Sequence, residues 1–171
     1  VASIAIVFIL ADDDPVLYCI PILLLTLADA AAALVGTAYG RRHYASIGDY
    51  KTIEGSAAFF VVGFACIAAP LAWFTPASST EAVSVAALVA MAVTLLEGAF
   101  GGGFDNLLVP LGAFFAIKAT GLTRGQPTAL ENGSPIVVAA LSLVAALLVV
   151  LLVVLAAWLR SSRVKESAAR D

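Results

Sequence analysis

The chain has 171 residues, 62% of them apolar in type and only 12% charged, with nine Lys and Arg against twelve Asp and Glu and a net charge of −3. Its mean hydropathy is +1.04. Soluble domains carry about 25% charged residues, so this composition excludes an ordinary soluble globular protein, a disordered chain and a nucleic-acid binder; it belongs to the lipid bilayer.

A helix that crosses a bilayer needs roughly 20 predominantly apolar residues. Residues 1–11 supply half of that length, without the basic segment of a signal peptide and starting on Val1, and read as the end of a truncated helix or the product of an alternative start. Residues 16–35 make the first full span, with Asp29 as its single charge. A polar loop, 36–55, carries Arg41, Arg42 and Lys51. The uncharged run 56–74 and then 82–100, with Glu97 near its end, make two more spans. The stretch 106–122 contains Pro110 and Gly112 and predicts a broken or tilted span. Residues 135–159 form an uncharged final span, followed by a charged tail at 160–171. The predicted fold class is therefore all-α: a polytopic transmembrane helical bundle of five full spans plus a partial one at the N-terminus, forming a single integral membrane domain.

Lys and Arg outside the spans set sidedness, because loops rich in them stay cytoplasmic. Seven of the nine basic residues fall in the 36–55 loop and the 160–171 tail, which five alternating spans put on one side. The opposite side keeps Lys118 and Arg124. The 36–55 loop, the 98–105 turn and the tail are accordingly expected in the cytoplasm. Cys19 and Cys66 sit in apolar runs with no Cys or His at ligand spacing, and His43 is the sole histidine, so neither a disulfide framework nor a zinc site is expected.

An ionisable group at the centre of a spanning helix costs at least ~2.5 kcal/mol and so needs a partner or a function. Asp29 and Glu97 both lie toward the cytoplasmic ends of their spans. There they converge with Asp105, Arg41, Arg42, Lys51 and Glu54 on one membrane face, an arrangement of oxygen ligands and cations suited to a Mg²⁺–polyphosphate. Small residues follow Asp29 along its helix, at Ala32, Ala33, Gly36 and Gly40, which admits either a ligand or another helix. Lys51-Thr52-Ile53-Glu54-Gly55-Ser56 stands just before a helix N-terminus, where free N–H groups favour a phosphate. Blander readings remain open for each: topology and headgroup binding for the basic residues, interhelical hydrogen bonding for Asp29, and an N-cap role for Asp105 after Gly101-Gly102-Gly103-Phe104.

With these residues the chain resembles the polyprenol kinase group, comprising CTP-dependent dolichol kinases, phytol kinases and yeast-type diacylglycerol kinases, which is distantly similar to phosphatidate cytidylyltransferases. Three blocks carry the likeness, in order, over residues 27–111. The first runs from Ala28-Asp29 to Gly36 and on through Tyr39-Gly40-Arg41-Arg42. The second is Lys51-Thr52-Ile53-Glu54-Gly55-Ser56, similar to the group's Lys-(Thr/Ser)-x-Glu-Gly-(Ser/Thr) signature. The third is Leu96-Glu97 followed by Asp105-Asn106-Leu107-Leu108-Val109-Pro110-Leu111. Two features depart from the pattern: Ala28 stands where many members have Gly, and no Asp-Arg-x-Asp-like block follows Asn106, which favours the kinase branch over nucleotidyl transfer.

The resemblance implies transfer of the γ-phosphate of a nucleoside triphosphate, CTP, to the hydroxyl of a membrane lipid alcohol. It implies Mg²⁺ held by Asp29 and Asp105. Phosphates would be bound by Lys51, Arg41, Arg42 and the segments bearing Gly36, Gly40, Thr52, Gly55, Ser56 and Asn106. Glu97 or Glu54 would take the acceptor proton or support the metal. Partners are then the lipid alcohol, the nucleotide and the bilayer, with no nucleic acid, and self-association into a homo-oligomer is open. The competing readings are a CDP-lipid-forming cytidylyltransferase-like enzyme, a small transporter using Asp29 and Glu97 for ion coupling, and a non-catalytic membrane scaffold.

Overall fold

The computed structural model describes residues 2–123. The expected span at 135–159, the tail at 160–171 and Arg124 lie outside the described residues. Six α-helices and one short hairpin make up the described part: α1 (Ala2–Ala11), α2 (Pro15–Leu23), α3 (Asp29–Tyr39), β1 (His43–Ser46), β2 (Asp49–Thr52), α4 (Ile53–Phe74), α5 (Ser79–Ala99) and α6 (Asp105–Thr120). A single π-helical turn, Leu24–Ala28, joins α2 to α3, so that Pro15–Tyr39 is one continuous helical rod.

Local chemistry accounts for most of the boundaries. Asp12 and Asp13 take positive φ after α1, a conformation that Asp tolerates better than most residues. Asp14 then caps α2 by accepting from the N–H groups of Val16 and Leu17, with Pro15 in the first turn where its missing N–H does no harm. Ser78 and Glu81 form a reciprocal capping box that starts α5 three residues before the expected span. α6 ends on Gly121 at φ 66°, in the left-handed region.

Helix α4 lies against α3 and α5, while α6 closes the bundle against α5, α2 and α1. Along α4 the buried positions are Gly55, Phe59, Gly63, Cys66, Ile67, Pro70 and Leu71, one stripe at helical spacing. On α5 the stripe runs Ala82, Val85, Ala86, Val89, Ala90, Val93 and then Glu97. Glu97 is therefore buried because it occupies the last turn of a face otherwise made of Ala and Val.

Among the described residues three helices, Pro15–Tyr39, Ile53–Phe74 and Ser79–Ala99, are long and apolar enough to cross a membrane, at the expected spans 16–35, 56–74 and 82–100. Two expectations are corrected. The stretch expected as a span at 106–122 is a 16-residue helix containing Pro110, shorter than a bilayer crossing requires. The fold is also not purely helical. β1 and β2 pair antiparallel, with Tyr44 opposite Lys51 and Ser46 opposite Asp49, around an Ile47-Gly48 turn in which Gly48 has φ 89°. The 36–55 loop conceals this hairpin because its strands are only four residues each and largely polar.

Candidate active site at the hairpin end of the bundle

The hairpin folds back over the ends of the helices and is stitched down by backbone hydrogen bonds. Ile47 N–H donates to the Ala99 carbonyl at 3.0 Å, and Gly101 N–H donates to the Ile47 carbonyl at 2.9 Å. A Cβ on Gly101 would come within 2.7 Å of the Asp49 Cβ, so glycine permits this approach. The hairpin thus roofs one end of the bundle. Beneath it is a cavity of about 520 Å³, within the range of small-molecule sites.

Lys51 organises the floor. Its Nζ donates to Glu97 Oε1 at 2.6 Å and to Asp105 Oδ2 at 3.2 Å, and also to the backbone carbonyl of Glu97. The three side chains are 13%, 6% and 17% exposed, so one cation is shared by two largely buried carboxylates. Burial alone would lower the pKa of Lys51; the hydrogen bonds and charges of Glu97 and Asp105 outweigh it and hold the ammonium above the ordinary lysine value. Ser56 Oγ bonds Glu97 Oε2 at 3.4 Å and Tyr44 Oη at 2.6 Å, which ties α4 and β1 to the same carboxylate.

Asp29 enters the cavity from α3, together with Ala32, Ala33, Gly36, Thr37 and Gly40. The π turn ends at Asp29, whose N–H bonds to the Leu24 carbonyl five residues back. That extra residue shifts the register of α3 relative to α2; within α3, Ala32, Ala33 and Gly36 share the face of Asp29 because they follow it at i+3, i+4 and i+7. Single π turns of this kind are frequent at functional sites.

The glycines of the first two motifs have a packing role. Thr52 Oγ1 caps α4 by accepting from Gly55 N–H at 3.1 Å. A Cβ on Gly36 would meet Thr52 Oγ1 at 2.9 Å, and one on Gly55 would meet both that atom and the Ala32 carbonyl at 2.9 Å. Gly36, Gly40, Thr52, Gly55 and Ser56 still line the cavity, so close helix contact and access to the pocket coexist.

Asp29, Lys51, Glu97 and Asp105 are therefore gathered at one cavity, whereas Arg41, Arg42 and Glu54 are not among its lining residues. Glu54 Oε2 instead accepts from the backbone N–H groups of Arg41 and Arg42 at 3.1 and 3.3 Å. Asn106 lines a small adjoining crevice with Asp29, Glu97 and Asp105. Asp105 does not cap α6 from outside; it opens the helix, with Phe104 at the cap position.

Sequence reasoning dismissed His43 as a metal ligand and assigned no site role to it or to Tyr44, Asp49 and Tyr50, all carried by the hairpin. Their signal was the pair of runs His-Tyr-Ala-Ser and Asp-Tyr-Lys-Thr flanking Ile-Gly, two short strands about a two-residue turn.

Among the described residues no three His, Cys, Asp or Glu side chains converge as a metal cage. The donor set fits a cation that brings its own phosphate and water ligands and needs only one or two carboxylates, as Mg²⁺ does on a nucleotide.

Comparison with known proteins agrees with the motifs. A 99-residue stretch, 58% of this chain, is 35% identical to a phytol kinase of Synechocystis sp., and the alignment covers 42% of that relative. The chain thus spans less than half the length of the curated relative it matches. No family model matches the chain. No solved structure matches it either. The similarity supports the polyprenol and phytol kinase group.

Proposed function

We propose that this chain carries the active site of a lipid-alcohol kinase, a phosphotransferase that moves the γ-phosphate of CTP to the hydroxyl of a membrane-dissolved alcohol such as a polyprenol, a phytol-like alcohol or diacylglycerol. The observation that carries this reading is Lys51 held between Glu97 and Asp105 in a cavity that Asp29 also lines. Phosphoryl transfer demands little covalent chemistry of a protein; it demands positioned charge on both the phosphates and their counterions. A fixed ammonium beside carboxylates supplies both signs.

Lys51 would pair with the phosphate oxygens while Glu97 and Asp105 fix its position. Asp29 and Asp105 are the residues that would hold Mg²⁺, which would supply positive charge to offset that of the phosphates. Glu97, inside the cavity, is better placed than Glu54 to accept the proton of the acceptor hydroxyl. Glu54 and the backbone it binds would set the entry to the hairpin. Because the cavity stands at the ends of bilayer-crossing helices, the lipid can stay in the membrane while the nucleotide approaches from water. The density of Lys and Arg in the 36–55 loop favours the cytoplasm as that side. The choice of CTP rests on the motif resemblance.

The test is incubation of the purified protein with lipid alcohols and CTP labelled at either the γ or the α position. Label from γ alone should enter the lipid. Entry of α label would indicate nucleotidyl transfer, and nucleotide-free solute flux in sealed vesicles would indicate a transporter. Full activity in both Asp29→Asn and Lys51→Ala would overturn the site.

A further inference from the structure

The cavity has a depth order that assigns its two ends different tasks. Its floor is charged and sheltered, with Lys51, Glu97 and Asp105 at 13%, 6% and 17% side-chain exposure. Its outer wall is the hairpin, where His43, Asp49 and Tyr50 also line the cavity. Tyr50 is 77% exposed although it borders the pocket, and its register position opposite Ala45 puts it diagonal to His43 on one hairpin face. Thr52, on that same face, is buried against Gly36 and Gly40, which sets this face against α3, while Asp49 and Lys51 line the cavity from the opposite face.

If the phosphates are bound at the charged floor, the nucleoside end of the donor must project outward past this lip. We infer that His43, Asp49 and Tyr50 form the nucleoside-binding lip, with the Tyr50 ring as the platform on which the base stacks. This rests on the proposed kinase reading and extends it to the part of the donor that the motifs leave unassigned. The chemistry suits the task. An exposed aromatic ring presents a π face that any base can cover. The Asp49 carboxylate has one oxygen engaged by the Tyr50 N–H at 2.7 Å and accepts further donors from a ribose hydroxyl or an exocyclic amine. No phosphate charge needs to be met here, and the lip carries no Lys or Arg on its cavity side beyond Lys51 at the floor.

The test uses the full protein in detergent micelles, with equilibrium binding of labelled CTP, displacement by inorganic tripolyphosphate, and γ-phosphate transfer measured in parallel. Tyr50→Ala should weaken CTP binding and raise its KM about tenfold to a hundredfold, the range expected for one lost base stack. It should leave kcat and tripolyphosphate affinity unchanged, because tripolyphosphate has no nucleoside. Tyr50→Phe should restore CTP binding. A Tyr50→Ala protein that binds CTP like wild type overturns the lip, as does one that loses CTP and tripolyphosphate equally. A ring that serves only as a membrane-interface anchor would move the KM for the lipid rather than for CTP, which also overturns it. If wild type binds CTP in a Tyr50-dependent manner yet transfers no phosphate, the kinase reading fails and the lip stands. If wild type binds no nucleotide, both fail.

Discussion

Replacing Lys51 by Met removes the one cation seated between Glu97 and Asp105 while keeping the length of the side chain. Glu97 is 5% exposed and retains only the Ser56 hydroxyl at 3.4 Å, so its carboxylate is left buried with one long hydrogen bond. Breaking a buried ion pair from one side typically costs about 3–5 kcal/mol, because the surviving charge keeps its desolvation penalty without its partner. Replacing Glu97 as well removes the larger part of that penalty, since Asp105 is the more exposed carboxylate and keeps its bond from the Asn106 N–H. The double variant Lys51→Met, Glu97→Gln should therefore recover most of the loss, to within about 1–2 kcal/mol of wild type. Both variants should be inactive in γ-phosphate transfer, which separates stability from chemistry. The assay is thermal or denaturant unfolding of the micellar protein, read as a double-mutant cycle with Glu97→Gln alone as the fourth corner. A Lys51→Met protein as stable as wild type, or additive effects at the two positions, would refute the reasoning that these side chains form a buried pair.

Other consequences follow from the same geometry. Gly55→Ala places a methyl group 2.9 Å from both the Ala32 carbonyl and Thr52 Oγ1, so α3 and α4 must separate; unfolding should show a loss of about 1–3 kcal/mol. Glu54→Gln should weaken protection of the Arg41 and Arg42 amides in hydrogen exchange while leaving the helical bundle intact, since the Glu54 carboxylate is their acceptor. The stabilisation from Lys51 is fully present below the ordinary lysine value of 10.5 and is lost only as pH rises through its higher folded value. Wild type should therefore keep its stability advantage over Lys51→Met across the neutral and mildly alkaline range, and unfolding midpoints that converge between pH 7 and 9 would contradict the raised value.

The long apolar helices were legible in the sequence because hydropathy needs no partner to act. A run such as 56–74 must be helical in lipid whatever surrounds it, since its backbone has no other source of hydrogen bonds. The two acids within apolar runs, Asp29 and Glu97, announced themselves for the same reason: a charge in such a run requires an explanation. Alternation of the spans was enough to bring Asp29, Lys51, Glu97 and Asp105 to one end. Less visible was the division of labour among residues of one motif. Lys51-Thr52-Ile53-Glu54-Gly55-Ser56 reads as a uniform phosphate-binding run, yet Thr52 caps α4, Glu54 binds backbone amides outside the cavity lining, and Lys51 and Ser56 turn inward to Glu97. The strand-to-helix transition at Thr52 and Ile53 causes this split, because side chains alternate faces in β2 and rotate by a third of a turn or less per residue in α4.

Only 12% of the chain is charged, and its long apolar helices are compatible with an integral membrane protein. By itself the sequence determined that conclusion, the placement of the long apolar helices and the end of the bundle at which the charges meet, since all three follow from hydropathy, span length and alternation. Only tertiary structure decided how those charges pair. Lys51 finds Glu97 46 residues away and Asp105 54 residues away, and both meetings depend on a hairpin folded back over the helix ends. Partners so distant in the chain carry no local signal of each other; packing of α4 against α5 and of α5 against α6 brings them within hydrogen-bonding distance.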